Sequence, residues 1–567
     1  MSLSQSLGHR PSGSLSRKDP VQPDNRSLYQ NLEQVTSVYG DNPCLEFLGR
    51  RYSYRDIFDQ VQLTAAGLQR QGVSKGDRVV LLLPNCPYFV ISYYAILKIG
   101  AIVVNSNPLY APEELEFQLN DCAAEILITL DIKDLCDKAT KQIEKTPLKK
   151  IVVCRLSQAM PTLKGALFSL LQFHKITHPS GEEFIEFEDL ASDIEGGYPV
   201  DVSPEDFAVL QYTGGTTGKP KGAVLTHANI MANTSQVTAW FSDAVPGEER
   251  ILGVLPMFHV FAMTTVLNMG IALGAEIVLL PRFQLGQMLK TINRLKPTLM
   301  MGVPAIYGAV NNSPIVGRYD LSSIKYCISG GAPLPLDAKR QFEKLTGCVL
   351  VEGYGLSEAS PVCACNPVEG ENREGSIGLA LPDTMLEIRG IEAPQQLLEK
   401  GEKGELCVSG PQVMFGYWKN TEATGCAITD GKLRTGDVGY MDDEGYVYLL
   451  DRLKDLIICN GYNVYPRNIE EAINRHPAVE EVTVIGISEE KHGEIPKAFI
   501  KLCAGQELEE EELLEFLKEY LSPMEMPREM DFRNMLPKTM IGKLSKKELR
   551  QEETDRINSE LAPSESA

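Results

Sequence analysis

The stretch QYTGGTTGKPKGAVLTH, Gln211–His227, puts three glycines and three threonines into six residues, Thr213 to Gly218. Two lysines follow around Pro220, and then the chain turns apolar. Val209 and Leu210 lie at the end of an apolar run that reads as a strand, and AVLTHANIMANTSQ reads as a strand edge followed by a helix. The Gly/Thr run is therefore a loop between elements. Glycines let backbone N–H groups turn inward and approach an anion closely. Threonine hydroxyls add donors, and Lys219 and Lys221 add compact positive charge. These are the parts of a phosphate cradle. It is not the Walker A loop, which needs Ser or Thr directly after its lysine, because Lys219 is followed by Pro220.

On both sides of this loop the chain alternates short apolar runs with helical patterns. RVVLLLPN reads as a buried strand, YFVISYYAILKIG as a helix stopped by glycine, and AIVVNSNP as another strand. AEILITL, KKIVVC, IVLLP, TLMMGVP and YCISGGAP repeat the theme, which predicts βαβ units and parallel sheet. From about Thr384 the runs MLEIRG, GELCVSG, GYVYLL and DLIICNGYNV are short strands with turn signals, which predicts a small antiparallel or barrel-like module. After Arg452 a compact α+β unit follows, with a helix that starts at Pro466. The expected fold is α/β. Its expected divisions are a disordered tail at 1–27, a large N-terminal domain at 28–451, a small α+β domain at 452–552 and a second disordered tail at 553–567.

Composition narrows the class. With 567 residues, 43% of them hydrophobic and 23% charged, the chain resembles an ordinary globular protein with a sizeable core. A net charge of −21 argues against a nucleic-acid surface. Thirteen scattered cysteines, with Cys363 and Cys365 closest, show no zinc spacing and read as reduced, buried thiols. The Ser-rich start has no apolar signal core, and no run is long and unbroken enough to span a membrane. The expected location is cytoplasmic, or peripheral on the inner face of a membrane. GLSEA misses the nucleophile elbow by one residue, Ala359 for glycine, which disfavours a serine hydrolase.

YTGGTTGKPKGA resembles the signature loop of the adenylate-forming superfamily of acyl-CoA synthetases, luciferases and peptide-synthetase adenylation domains. Five further segments resemble that family's motifs in its order: SGGAPL (Ser329–Leu334), EGYGLSEAS (Glu352–Ser360), RTGDVG (Arg434–Gly439), DRLKDLIICNGYNVYPRNIE (Asp451–Glu470) and PKTMIGK (Pro537–Lys543). The resemblance runs from about Asn42 to Arg550 and implies a mobile C-terminal lid. It implies a two-step reaction: a carboxylate attacks the α-phosphate of ATP, then a thiol attacks the acyl-adenylate.

The resemblance also implies residue roles. Lys543 bridges carboxylate and α-phosphate. Glu358, with Thr217, holds Mg²⁺, and Ser357 stands where the family usually has threonine. ATP is held by Thr213, Gly214, Gly215, Thr216, Thr217, Gly218, Lys219 and Lys221, by Gly331, Ala332 and Pro333, and by Gly353 and Tyr354. Asp437 takes the ribose hydroxyls, with Arg452 near the ribose or phosphates. Lys454 is the hinge, and Gly461 admits the pantetheine arm. His259 and Trp240 border the acyl or thiol tunnel, although core packing is the plainer role for each.

No acidic residue stands in HVFAMTTVLNMGIALGA, which disfavours an amino-acid substrate. VVNSNPLYAPEELEFQLND and GYNVYPRNIEEAINRHPAV resemble the bacterial long-chain fatty-acid–CoA ligases, although Lys432 stands where that branch often has an aromatic residue. The implied partners are a fatty acid, ATP with Mg²⁺, and coenzyme A. A carrier-protein acceptor, a medium-chain or aryl acid, and a nucleotide-binding module without catalysis stand as alternatives. Dimerisation is left open. PTLKGALFSLLQFHKI (Pro161–Ile176) is apolar and weakly basic; it reads either as a helix packed on the body or as an interfacial membrane contact.

Overall fold

The computed structural model describes residues 25–213, 220–459, 462–489, 493–538 and 544–561. By their internal contacts the described residues form two compact units. One runs up to Met385 and adds Val408–Leu433; the other is Leu386–Cys407 with the residues from Arg434 on. The strand that carries RTGDVG thus groups from Arg434 onward with the smaller unit, although sequence alone drew the division at 451/452.

The larger unit holds two mainly parallel sheets. The first is ordered Gly416–Tyr417, Lys221–Thr226, Phe207–Thr213, Ile102–Asn105, Arg78–Leu82, Ile126–Leu130, Lys150–Cys154 and Phe184–Glu186. The six strands from Phe207–Thr213 to Phe184–Glu186 pair in parallel. Their continuous apolar runs follow from burial on both faces, where helices such as Pro87–Lys98 and Pro112–Cys122 cover them. Val80, Leu82, Val104, Leu127, Ile151 and Leu210 share one buried core there.

The second sheet is ordered Leu379–Ala380, Val362–Cys365, Val349–Gly355, Tyr326–Ser329, Leu299–Gly302, Arg250–Gly253, Glu276–Leu279, Pro43–Phe47 and Arg50–Ser53. Strands from Pro43–Phe47 to Val349–Gly355 run parallel. Arg250–Gly253 lies between its sequence neighbours Glu276–Leu279 and Leu299–Gly302, so the winding reverses there. In open α/β sheets ligands bind beyond the carboxyl ends of strands at such a reversal.

Three buried amides tie the two sheets together near those ends. Asn85, just past Arg78–Leu82, donates to the carbonyls of Gly253 (3.1 Å) and Leu255 (2.8 Å) and accepts from the Met257 N–H at 2.7 Å. Asn105 donates to Gln211 Oε1 at 3.1 Å, and Gln211 Nε2 donates to the Phe258 carbonyl at 3.1 Å.

The smaller unit carries two sheets of its own. One runs through Met385–Arg389, Gly404–Ser409, Lys432–Met441 and Val447–Arg452. The other is ordered Tyr462–Val464, Ile457–Cys459, Gly493–Leu502 and Val479–Glu489, with Glu529–Phe532 parallel to Gly493–Leu502. The helix Pro466–Asn474 has proline in its first turn, as read from sequence. The acidic helix Glu510–Leu517 buries Leu513 and Leu517 and leaves Glu510, Glu511 and Glu512 outside, at the end where the helix dipole favours negative charge.

The tail expected from residue 553 is instead helical as far as Leu561, as part of Lys546–Leu561. Its polar composition hides what holds it. Glu553 is buried against Lys497 at 2.8 Å, and Arg550 pairs with Asp455 at 2.7 Å.

Candidate active site

The Gly/Thr loop joins two antiparallel neighbours. Thr213, at the end of one strand, faces Lys221, at the start of the next. The loop therefore belongs to a β-hairpin, and the helix His227–Trp240 begins only one strand later. That helix starts where it does because Thr226 and Asn229 form a reciprocal capping box. Gly214, Gly215, Thr216, Thr217, Gly218 and Lys219 lie outside the described residues.

Other sequence-derived positions gather at the carboxyl ends of adjacent strands of the second sheet. Gly331, Ala332 and Pro333 follow Tyr326–Ser329. Gly353 and Tyr354 end Val349–Gly355, and Ser357 and Glu358 occupy the short 3₁₀ turn after it. Ser329 stands opposite Glu352, and Gly302 opposite Ser329, so these segments leave neighbouring strands side by side. His259 caps the short helix Val260–Ala262, its Nδ1 accepting from the Phe261 N–H at 3.3 Å. The Phe261 ring comes so close to Gly330 that a Cβ there would sit 3.1 Å from it.

The turn that carries Glu358 is held from behind. Leu356 N–H donates to the Pro361 carbonyl at 3.0 Å. Asn233 brackets Val362, donating to its carbonyl at 2.7 Å and accepting from its N–H at 2.9 Å. Gly355 must be glycine, because a Cβ there would lie 2.0 Å from the Pro361 carbonyl oxygen.

Tyr417 is the residue that sequence reading missed. Its short strand pairs with Lys221–Thr226, Tyr417 opposite Ala223. Lys221 Nζ lies over its ring, 5.2 Å from the centroid. Its hydroxyl donates to Glu358 Oε1 at 2.8 Å, and the Met414 N–H donates to the Glu358 carbonyl at 2.8 Å. Burial, then the Glu358 charge, pushes the Tyr417 phenol well up, so it stays protonated and remains a donor. One tyrosine thus links the foot of the Gly/Thr loop to the glutamate. The only sequence signal was Gly416 before two aromatics in FGYW, and nothing local points from there to a residue 59 positions away.

Trp240 ends its helix half-buried, with its indole N–H donating to the Asn366 carbonyl at 3.0 Å. That bond fits an anchored packing residue.

In the smaller unit, Asp437 and Arg452 face each other across a hairpin and form an ion pair of 2.7 Å. Asp437 is buried and Arg452 half-exposed. Thr435 Oγ1 accepts from the Asp437 backbone N–H at 3.0 Å, which fixes the main chain there, while Arg452 holds the carboxylate. Lys454 sits in the 3₁₀ turn Leu453–Asp455; burial pulls its pKa below the usual lysine value. Gly461 and Lys543 lie outside the described residues.

Residues 32–418 match the family described as AMP-binding enzyme, and residues 468–543 match the AMP-binding enzyme C-terminal domain. The chain belongs to the AMP-binding enzyme family. This AMP-binding enzyme is 44% identical over 537 residues to a long-chain-fatty-acid–CoA ligase of Bacillus subtilis (strain 168), covering 94% of this chain and 95% of that one. A relative of the same description from Escherichia coli O157:H7 is 36% identical over 551 residues, covering 95% and 97%. Among solved structures it is similar to the anthranilate CoA ligase AuaEII in complex with anthranoyl-AMP, with TM-score 0.83 and 26% identity over 94% of this chain and 98% of that one.

Mg²⁺ fits the donor set of this AMP-binding enzyme in one particular way. No group of three metal-ligating side chains occurs among the described residues. Glu358 keeps acceptor capacity beyond its bond to Tyr417, since a carboxylate has about four lone-pair positions. One carboxylate plus substrate phosphates is the way Mg²⁺ is usually held.

Proposed function

We propose that the chain is an ATP-dependent, AMP-forming long-chain fatty-acid–CoA ligase. The observation that carries this reading is the 44% identity, over nearly the whole of both chains, to a ligase of that description. The clustering of the motif residues at adjacent strand ends supports it.

In this reading the two anions, carboxylate and triphosphate, meet beside the Gly/Thr hairpin. Backbone N–H groups and Lys219 and Lys221 offset their repulsion. Glu358 and Thr217 hold Mg²⁺, which neutralises phosphate charge when bound. Tyr417 fixes the Glu358 carboxylate, and Lys221, over the Tyr417 ring, stands at the same corner. Ser357 donates to phosphate, Tyr354 and Gly331–Pro333 border the nucleotide, and Asp437 accepts from the ribose hydroxyls with Arg452 beside it. Lys543 bridges the carboxylate and α-phosphate oxygens. Lys454 is the hinge and Gly461 the pantetheine entrance, and the lid is the segment 452–552. His259 and Trp240 border the acyl or thiol channel. A lipid surface is the proposed source of the acid. Among the described residues no helix is long and apolar enough to cross a membrane.

The test is pyrophosphate release by the purified chain with Mg-ATP and acids from acetate to oleate, with aryl acids included, with and without coenzyme A. Turnover highest at long chains, with acyl-CoA and AMP formed, is expected. Pyrophosphate without thioester would move the acceptor to a carrier protein, and a maximum at aryl acids would overturn the substrate class. In the same assay Lys543→Ala should lose adenylation far more than transfer from preformed acyl-adenylate. Equal losses would remove its bridging role.

A further inference from the structure

The helix Thr162–Leu171 and the turn Phe173–Lys175 that follows it are built the wrong way round for a packed helix. Leu163, Leu167, Leu170 and Leu171 are exposed at 88%, 54%, 72% and 60%, and Phe173 at 74%. The four leucines are spaced i, i+4, i+7 and i+8, which puts them on one stripe. A soluble protein turns such a stripe inward. Here the opposite side, at Gly165, is the buried one. Its backbone lies so near the preceding turn that a Cβ would fall 2.2 Å from the Ser157 carbonyl oxygen. The glycine seats the helix on the body and holds the leucines outward. Isolated exposed leucines are common on protein surfaces, but a contiguous stripe of this kind marks a contact site.

The surrounding charge selects the occupant. The chain carries 76 acidic residues, yet none lies from Lys145 to Gly181. Lys164 Nζ donates to the Leu48 carbonyl at 2.8 Å, and exposed Arg50 donates to the Gln158 carbonyl at 2.5 Å, so both cations stand at the base of the helix. His174 and Lys175 follow at its far end, both exposed. A second copy would bring the same cations face to face, whereas an anionic lipid surface accepts both the leucines and the charge.

We infer that this helix and turn are a monotopic docking face for an anionic lipid bilayer, with the leucine stripe entering the headgroup boundary and Lys164, Arg50 and Lys175 meeting lipid phosphates. A net charge of −21 repels such a bilayer from the rest of the molecule, so contact is confined to this segment, which itself carries cations and no acidic residue. Delivery of substrate from that bilayer rests on the fatty-acid reading above; the docking geometry stands without it.

The full chain should co-float with vesicles of mixed phosphatidylglycerol and phosphatidylcholine, and less with phosphatidylcholine alone. The double variant Leu167→Asp/Leu170→Asp, altered only at exposed positions, should lower the bound fraction by roughly tenfold or more. The pair Lys164→Glu/Lys175→Glu should lower it and weaken its salt dependence. Pyrophosphate release with octanoate, which reaches the enzyme through water, should be unchanged in both. The docking face is overturned if the leucine variant floats like the parent. It is equally overturned if the parent ignores vesicles and sediments as a dimer that Leu170→Asp dissolves. Vesicle binding by a chain silent toward every acid would overturn the ligase reading and leave the docking face standing.

Discussion

At the scale of single residues, the decisive contact is Tyr417 with Glu358. A hydrogen bond to a charged group contributes ~1.5–3 kcal/mol. Tyr417→Phe keeps the ring under Lys221 and removes only the hydroxyl. It should slow pyrophosphate release by about tenfold or more and raise the Mg²⁺ concentration needed for half-maximal rate. An unchanged rate and an unchanged Mg²⁺ titration would show that the bond orients nothing. Asp437 makes a similar case in the smaller unit, buried, its carboxylate paired with Arg452 and its backbone N–H held by Thr435. Asp437→Ala should raise the KM for ATP by about tenfold, the scale of one charge-assisted hydrogen-bond acceptor, with a smaller change in kcat. An unaltered KM would rule out the ribose contact. Glu358 and Asp437 were singled out as candidates in sequence because their neighbours form motifs. Tyr417 was not, because its role depends on a strand pairing with residues nearly two hundred positions earlier.

At the scale of elements, the junction between Lys221–Thr226 and the helix His227–Trp240 carries a pH-sensitive group. His227 is fully buried at the first helical position. Its Nδ1 accepts from the Leu28 N–H at 3.3 Å, and its Nε2 has no partner. Burial is the main reason its pKa is pushed down to about 4 from 6.5. Between those values the unfolded chain binds a proton that the folded chain refuses, so stability falls as pH drops from 6.5 toward 4. His227→Gln should flatten that fall by about 2–3 kcal/mol between pH 7 and pH 4.5, read from urea midpoints. Parallel pH profiles for the two proteins would reject the assignment. Sequence read only a strand edge followed by a helix here, and the local cap of Thr226 and Asn229 fixes the boundary between them. It left the helix Thr162–Leu171 open between packed and exposed, because a leucine stripe states its period and not the direction it faces.

At the scale of the whole molecule, the chain divides into two units, and the residue assigned as hinge, Lys454, lies in a short turn of the smaller one. If that turn must change conformation between the two chemical steps, fixing it will separate them. Lys454→Pro restricts φ there and disfavours the helical conformation of Leu453. Adenylation, read as pyrophosphate release, and thioester formation from preformed acyl-adenylate should then respond unequally. One should fall by at least about tenfold while the other stays within about threefold. Equal responses would argue that the turn does not reorganise during the cycle.

Sequence by itself determined the α/β class, the alternation of strands and helices, the place of the glycine- and threonine-rich loop between elements, and the family to which the motifs belong. Those features are written locally, in apolar period, capping residues and glycine-rich turns, so neighbours in sequence suffice to read them. Tertiary structure decided what depends on register between distant strands. It made the Gly/Thr loop part of a hairpin, brought Lys221, Tyr417 and Glu358 to one corner, and tied the two sheets through Asn85, Asn105 and Gln211. It also carried the C-terminal helix past residue 552, because Glu553 finds Lys497 56 positions away. Pairings of that range are set by which surfaces bury together, and no local pattern records that.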